Sequence, residues 1–200
     1  MKMLDFPDSR QGTLDMCGIA AVQAILYYYG KSRIQSELAE AMHLSLDVGT
    51  EPEHIVSFFE DEDFQVYFGP MTIDTVKKCI DQGIPVILLI QAWVAEYPVV
   101  YDEIATEGHY VVAMGYDDEN ERIICDDPAL MQNRGYIGYE ELLTRWRMYG
   151  SDENLLENHG IAVYGRHPWF NPETMMHIDG SVKRVAARWR NRNELLTRKR

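Results

Sequence analysis

The feature that most restricts what this chain can fold into is a change of hydrophobic period near residue 84. Before it, apolar residues recur at helical spacing; after it, they alternate or run in short blocks bounded by turn residues. Asp15 or Thr13 can cap a helix from about Met16 to Tyr29, and Gly30 suits its stop. Ile34 to His43 reads as a second helix, with Ile34, Leu38 and Met42 on one stripe. Thr50 is expected to cap a third, with Pro52 in its first turn and Ile55, Phe58 and Phe59 inward. Phe64 to Phe68 alternates like a strand, and Thr72 to Gln82 is a fourth helix ended by Gly83.

Strands then dominate. Pro85 to Ile90, His109 to Tyr116, Arg122 to Asp126 and His159 to Tyr164 have the composition of strands, and Asp117-Asp118-Glu119-Asn120 is a polar turn. Tyr139 to Arg147 reads as a short helix between them. Helices followed by an antiparallel sheet make an α+β arrangement.

Composition excludes several classes. Two hundred residues, 46% of them hydrophobic, suit one core-forming domain rather than disorder. No stretch reaches the roughly 20 apolar residues of a membrane span, and no basic segment followed by an apolar one opens the chain. A cytoplasmic protein is the expectation. Cys17, Cys79 and Cys125 include no CxxC pair, which argues against a disulfide framework and against a zinc-thiolate site. No metal or organic cofactor is expected. Residues 182–200 carry eight Lys/Arg and one Glu, a net +7, which leaves −20 for residues 1–181 out of a total of −13. So acidic a body argues against broad nucleic-acid binding.

Chemistry concentrates on Cys17. It opens an apolar helical run six residues after Gln11, and a thiol at a helix N-terminus feels backbone N–H groups that favour thiolate. Such a nucleophile needs a base, and the base needs an orienting partner. Of six histidines, His109 alone opens a strand directly after a glycine, Gly108. A hairpin centred near Glu119 sets Asp127 opposite Val111, on the face of His109, and turns Asp126 to the other face. A slip of one residue reverses that choice, so register alone leaves Asp126 and Asp127 both open.

Gln11…Cys17-Gly18, then Gly108-His109-Tyr110-Val111-Val112, then Asp127-Pro128, resembles the papain-like cysteine peptidases of the bacteriocin-processing, double-glycine leader peptidase family. The likeness covers about residues 5–150, and Gln91-Ala92-Trp93 is similar to members that lack transporter domains. The resemblance implies a papain-like fold, with Cys17 as nucleophile, His109 as general base, Asp127 as the acid that orients it and Gln11 as oxyanion donor. The choice of Asp127 over Asp126 rests on the Asp-Pro match. It further implies a peptide or amide substrate, narrowed by analogy to a leader cleaved after a pair of small residues. The family is best known fused to an exporting transporter; this sequence shows neither a transmembrane region nor a P-loop, so export does not follow.

The same triad serves acyl transfer, and the same fold without turnover would be a peptide-binding module; the four filled roles weigh against the latter. Cys79 and Cys125 read as core or strand residues, His43 lies on a polar helix end and His54 in the first turn of a short helix, and His159, His167 and His177 read as structural or solvated. The expected layout is a peptidase domain over residues 1–165 and an extension over 166–200. In the extension Val182, Val185, Trp189 and Leu196 stripe a basic amphipathic helix. Docking on the acidic body or on a protein partner is the expectation for that helix, ahead of an anionic membrane. His167 to Pro172 reads as either a lid or a linker.

Overall fold

A strand that is apolar up to its last residue, Val86–Gln91 (β3), runs through the main sheet, and every one of its residues is buried. A strand of this kind needs cover on both faces, and the sequence supplies it. The computed structural model describes residues 1–46, 48–92, 108–150 and 152–175. Within Met1–Phe170, one compact unit, β3 lies in an antiparallel sheet with Lys2–Met3 (β1), Gln65–Pro70 (β2), Gly108–Asp117 (β4), Arg122–Asp126 (β5), Arg134–Gly138 (β6) and His159–Tyr164 (β9). The order is β2-β9-β3-β4-β5-β6, with β1 added to β4. Arg147–Tyr149 (β7) and Leu155–Glu157 (β8) form a separate hairpin.

Alternation on β3 and β4 divides the core in two. Ile87, Leu89, Tyr110, Val112 and Met114 face the helices Cys17–Tyr28 (α1), Gln35–Ala41 (α2) and Pro52–Asp61 (α3). Val86, Leu88, Ile90, Val111 and Ala113 face Ile73–Asp81 (α4) and Tyr139–Arg145 (α5). Helices therefore cover both faces of the sheet. β2 comes from the helix-rich half of the chain and pairs along its full length with β9.

The central helix α1 is buried at every residue except Tyr27. Gly18, Ala20, Ala21 and Ala24 let the sheet approach closely, and the helix is apolar nearly all round, as full burial requires. Its start differs from the sequence expectation. Neither Asp15 nor Thr13 caps it; a 3-10 turn over Leu14–Met16 leads straight into Cys17, and no side chain bonds the N-cap. Thr50 does not cap α3 either. The N-cap is Glu51, without a side-chain bond, and Thr50 Oγ1 is buried with no partner. Its carbonyl instead accepts from Tyr110 Oη at 2.7 Å. The helix read to Arg147 ends at Arg145, because Arg147 begins β7. Leu38 and Met42 are buried, but Ile34 is half exposed.

Trp169 and Phe170 both donate backbone N–H groups to the Tyr28 carbonyl, and the Trp169 ring covers Gly30. In the second unit, Asn171–Arg200, the described residues form a turn in which Thr174 N donates to Asn171 O. The basic stripe from Val182 to Leu196, His177 and Trp93 lie outside the described residues. Among the described residues, no helix is long and apolar enough to cross a membrane, and no group of three or more His, Cys, Asp or Glu could hold a metal ion.

Candidate active site

Cys17 is the first residue of α1, and His109 is the second residue of β4. Packing α1 across β4 brings the two ends together. His109 Nε2 lies 2.8 Å from Asp127 Oδ1, and the Cys17 side chain is near enough to help raise the pKa of the same imidazole. Because Nε2 is engaged by Asp127, exchange with the sulfur falls to Nδ1.

The hairpin register places the carboxylate. Val112 pairs with Asp126, so Asp127 follows at the level of Val111, as a hairpin centred near Glu119 requires. A bulge between Ala113 and Gly115 shifts the pairing nearer the turn without disturbing this end. Beyond β5 the chain turns tightly. Asp127 Oδ1 also accepts from Ala129 N at 3.0 Å, which fixes the carboxylate while it holds the histidine.

His109 is 4% exposed. Burial pulls its pKa down, but the hydrogen bond it makes to Asp127 and the polar and charge effects of Cys17 and Asp127 override it and raise the pKa to about 9. An imidazole held by a carboxylate, with a cysteine side chain close by, keeps its proton at neutral pH.

Asp126 contrasts with its neighbour. It is fully buried and neither of its oxygens has a hydrogen-bond partner. Burial, together with the carboxylates of Asp8 and Asp127, pushes its pKa up to about 8. Asn133 and Arg134 oppose the shift, yet Asn133 Nδ2 completes no hydrogen bond. Asp126 is thus a neutral buried acid at neutral pH, unsuited to orienting a histidine.

Gln11 reaches this corner from the loop before α1. Its backbone N–H donates to Pro128 O at 3.1 Å, directly after Asp127. Its Nε2 donates to Thr13 O and Leu14 O, each at 2.9 Å, and its buried Oε1 has no partner. The carboxamide therefore braces the turn that delivers Cys17. The sequence offers Thr50 only as a helix cap and Tyr110 only as part of the strand after His109, not as packing partners of Gly18. A Cβ on Gly18 would sit 3.1 Å from Tyr110 Cδ2 and 3.2 Å from Thr50 Cβ, so the glycine after Cys17 lets the helix start close onto the strand of His109. Cys125 is buried and its pKa is pushed up by burial, while Cys79 is partly exposed and packs against the core on the α4 and α5 side of the sheet.

Residues 3–154 match the family described as Peptidase_C39 like family. The chain belongs to that family. Solved structures of the same fold include a putative C39-like peptidase from Bacillus anthracis, 16% identical with a TM-score of 0.64, covering 82% of this chain and 98% of that one. The peptidase domain of Streptococcus ComA, a bi-functional ABC transporter, is 18% identical with a TM-score of 0.58, covering 81% and 96%. A double glycine motif protease from an AMS/PCAT transporter, solved with its leader peptide, is 14% identical with a TM-score of 0.56, covering 81% and 93%. No curated protein matches the chain in sequence. Its α+β architecture is that of C39 papain-like peptidase domains.

Proposed function

We propose that this protein is a cysteine peptidase that cleaves a peptide or amide bond, with Cys17 as nucleophile, His109 as acid and base, Asp127 as the group that orients His109, and Gln11 as a side-chain oxyanion donor. One observation carries the reading: a single buried imidazole is bonded to a carboxylate through Nε2, and the Cys17 side chain is near enough to raise its pKa. Structural histidines rarely need both partners, whereas a thiol nucleophile needs them together.

His109 holds its proton at neutral pH, its pKa being raised to about 9. The Cys17 sulfur attacks the scissile carbonyl carbon, a C–S bond forms, and the carbonyl electrons move onto oxygen. The Cys17 backbone N–H and Gln11 Nε2 stabilise that oxyanion. Gln11 Nε2 spends its hydrogens on Thr13 O and Leu14 O at rest. Exchanging one neutral carbonyl for an anion gives a charge-assisted bond, so the donor favours the transition state over the resting enzyme. As the tetrahedral centre collapses, the C–N bond breaks and the amine takes the His109 proton. Neutral His109 then removes a proton from water, the hydroxide attacks the thioester, and the sulfur departs.

Membership of the family, and a similar fold solved with a leader peptide, support a peptide substrate cut after two small residues. The test is incubation with synthetic peptides that carry an internal Gly-Gly, read by mass spectrometry. Cleavage is expected to vanish in Cys17→Ala and to persist in Cys79→Ala and Cys125→Ala. Intact peptide with the wild-type chain contradicts the reading. Amine adducts formed with added hydroxylamine, in place of hydrolysis, redirect it to acyl transfer.

A further inference from the structure

Gln23 and Gln35 are two carboxamides that the peptidase reading leaves unused. Gln23 lies on α1 in an otherwise apolar buried run, 8% exposed. Gln35 opens α2. Their bonds converge on the loop of Gln11. Gln35 Nε2 donates to Arg10 O at 2.7 Å, and Gln35 Oε1 accepts from Gly12 N at 3.0 Å. One side chain thereby grips the peptide groups on both sides of Gln11, much as a neighbouring strand would. Gln35 Nε2 also donates to Gln23 Oε1 at 3.0 Å, and Ser9 Oγ donates to the same oxygen at 2.7 Å. Gln23 Nε2 is taken by Arg33 O at 2.7 Å, so its amide cannot turn without losing three bonds. Gly12 permits the approach, because a Cβ there would meet Gln35 Oε1 at 3.3 Å. On the far side, Gln11 N is held by Pro128 O.

We infer that Gln35, locked by Gln23, is a positioning residue that sets the Gln11 carboxamide at the oxyanion site. This rests on the peptidase reading above. An oxyanion donor works only if it is preorganised, and a loop donor needs a scaffold to hold it. Gln35 links that donor to two helices, and Pro128 links it to the strand end that carries Asp127.

The test uses the full chain and an acetyl-Gly-Gly aminomethylcoumarin probe. Gln35→Met is expected to lower kcat by about ten- to a hundredfold, part of the roughly 10²–10³ that one oxyanion donor supplies, with KM changed less than about threefold. Gln35→Glu keeps the acceptor for Gly12 N but sets a carboxylate oxygen against Arg10 O and Gln23 Oε1, and is expected to lower kcat at least as far as Gln35→Met. In a Gln11→Ala background, Gln35→Met should cost nothing more, since residues acting as one unit are not additive. The pH profile of Cys17 alkylation should stay unchanged, because the loop serves the oxyanion and not the thiol. Independent, multiplying losses in the double variant, or a kcat unaffected in Gln35→Met, overturn the inference while the peptidase reading stands. A wild-type chain that leaves the probe intact counts against that reading, and the inference falls with it.

Discussion

Asp127 holds His109 through a 2.8 Å contact between Oδ1 and Nε2, whereas the adjacent Asp126 keeps both oxygens buried and unbonded. The two neighbours differ in a way that mutation can separate. Asp127→Asn removes the carboxylate that helps to raise the His109 pKa, so that pKa should fall from about 9 toward the usual histidine range. Turnover should drop by about 10²-fold or more, and the alkaline limb of the pH–rate profile should move to lower pH. Asp126→Asn should leave that limb in place.

Asp126 should announce itself in stability. Its pKa is near 8 in the folded chain and 3.8 in the reference state. The unfolded chain therefore releases this proton first, and stability falls as pH rises from about 4 to about 8. Thermal melts of the wild type should show that decline, and Asp126→Asn should flatten it, melting roughly 3 °C or more above wild type at pH 8. Parallel melting curves across this range would contradict the assignment.

His109 contributes with the same sign in a higher window. Its pKa is raised from 6.5 to about 9, so the stability it lends is complete below about 6.5 and lost as pH passes 9. In His109→Gln the loss of melting temperature between pH 7 and 9.5 should be smaller than in wild type. Differential scanning calorimetry over that range checks it.

Gly18→Ala tests the packing that brings the two ends together. The new methyl would press on Tyr110 and Thr50 at 3.1–3.2 Å, and both are buried and bonded to each other, with little room to yield. Overpacking of this kind costs about 1–3 kcal/mol. A lowered melting temperature with a disproportionate loss of kcat is expected, because Tyr110 adjoins His109. Unchanged kcat would show that the strand absorbs the methyl without moving the imidazole.

Much of the fold was legible because period is a strong signal. α1, α3, α4 and the strands β3, β4, β5 and β9 stand within a residue or two of where helical spacing, alternation, Gly30 and Gly83 put them. The pieces that escaped are short. β1 has two residues and β7 and β8 three each, too few to carry a period, and β6 contains two glycines. Capping misled, because Thr13, Asp15 and Thr50 are good caps in isolation, and tertiary packing gave α1 a 3-10 entry and Thr50 a buried place beside Tyr110. At the site, the grouping of Cys17, His109 and Asp127 was legible through the family resemblance, while hairpin length alone left Asp126 and Asp127 both open. The engaged state of the Gln11 amide was not legible, since its partners are backbone carbonyls. Gln23 did leave a trace, as a lone polar residue within the buried run of α1.

The shared proton between Cys17 and His109 is the claim on which the account depends, and iodoacetamide alkylation of Cys17 from pH 5 to 10 measures it most directly, with Cys79 and Cys125 replaced by Ala. The account predicts rapid labelling at neutral pH in the wild-type pair and a clear slowing in His109→Ala. Labelling that rises only near pH 8.5, as for an ordinary thiol, and is indifferent to His109→Ala, would contradict it.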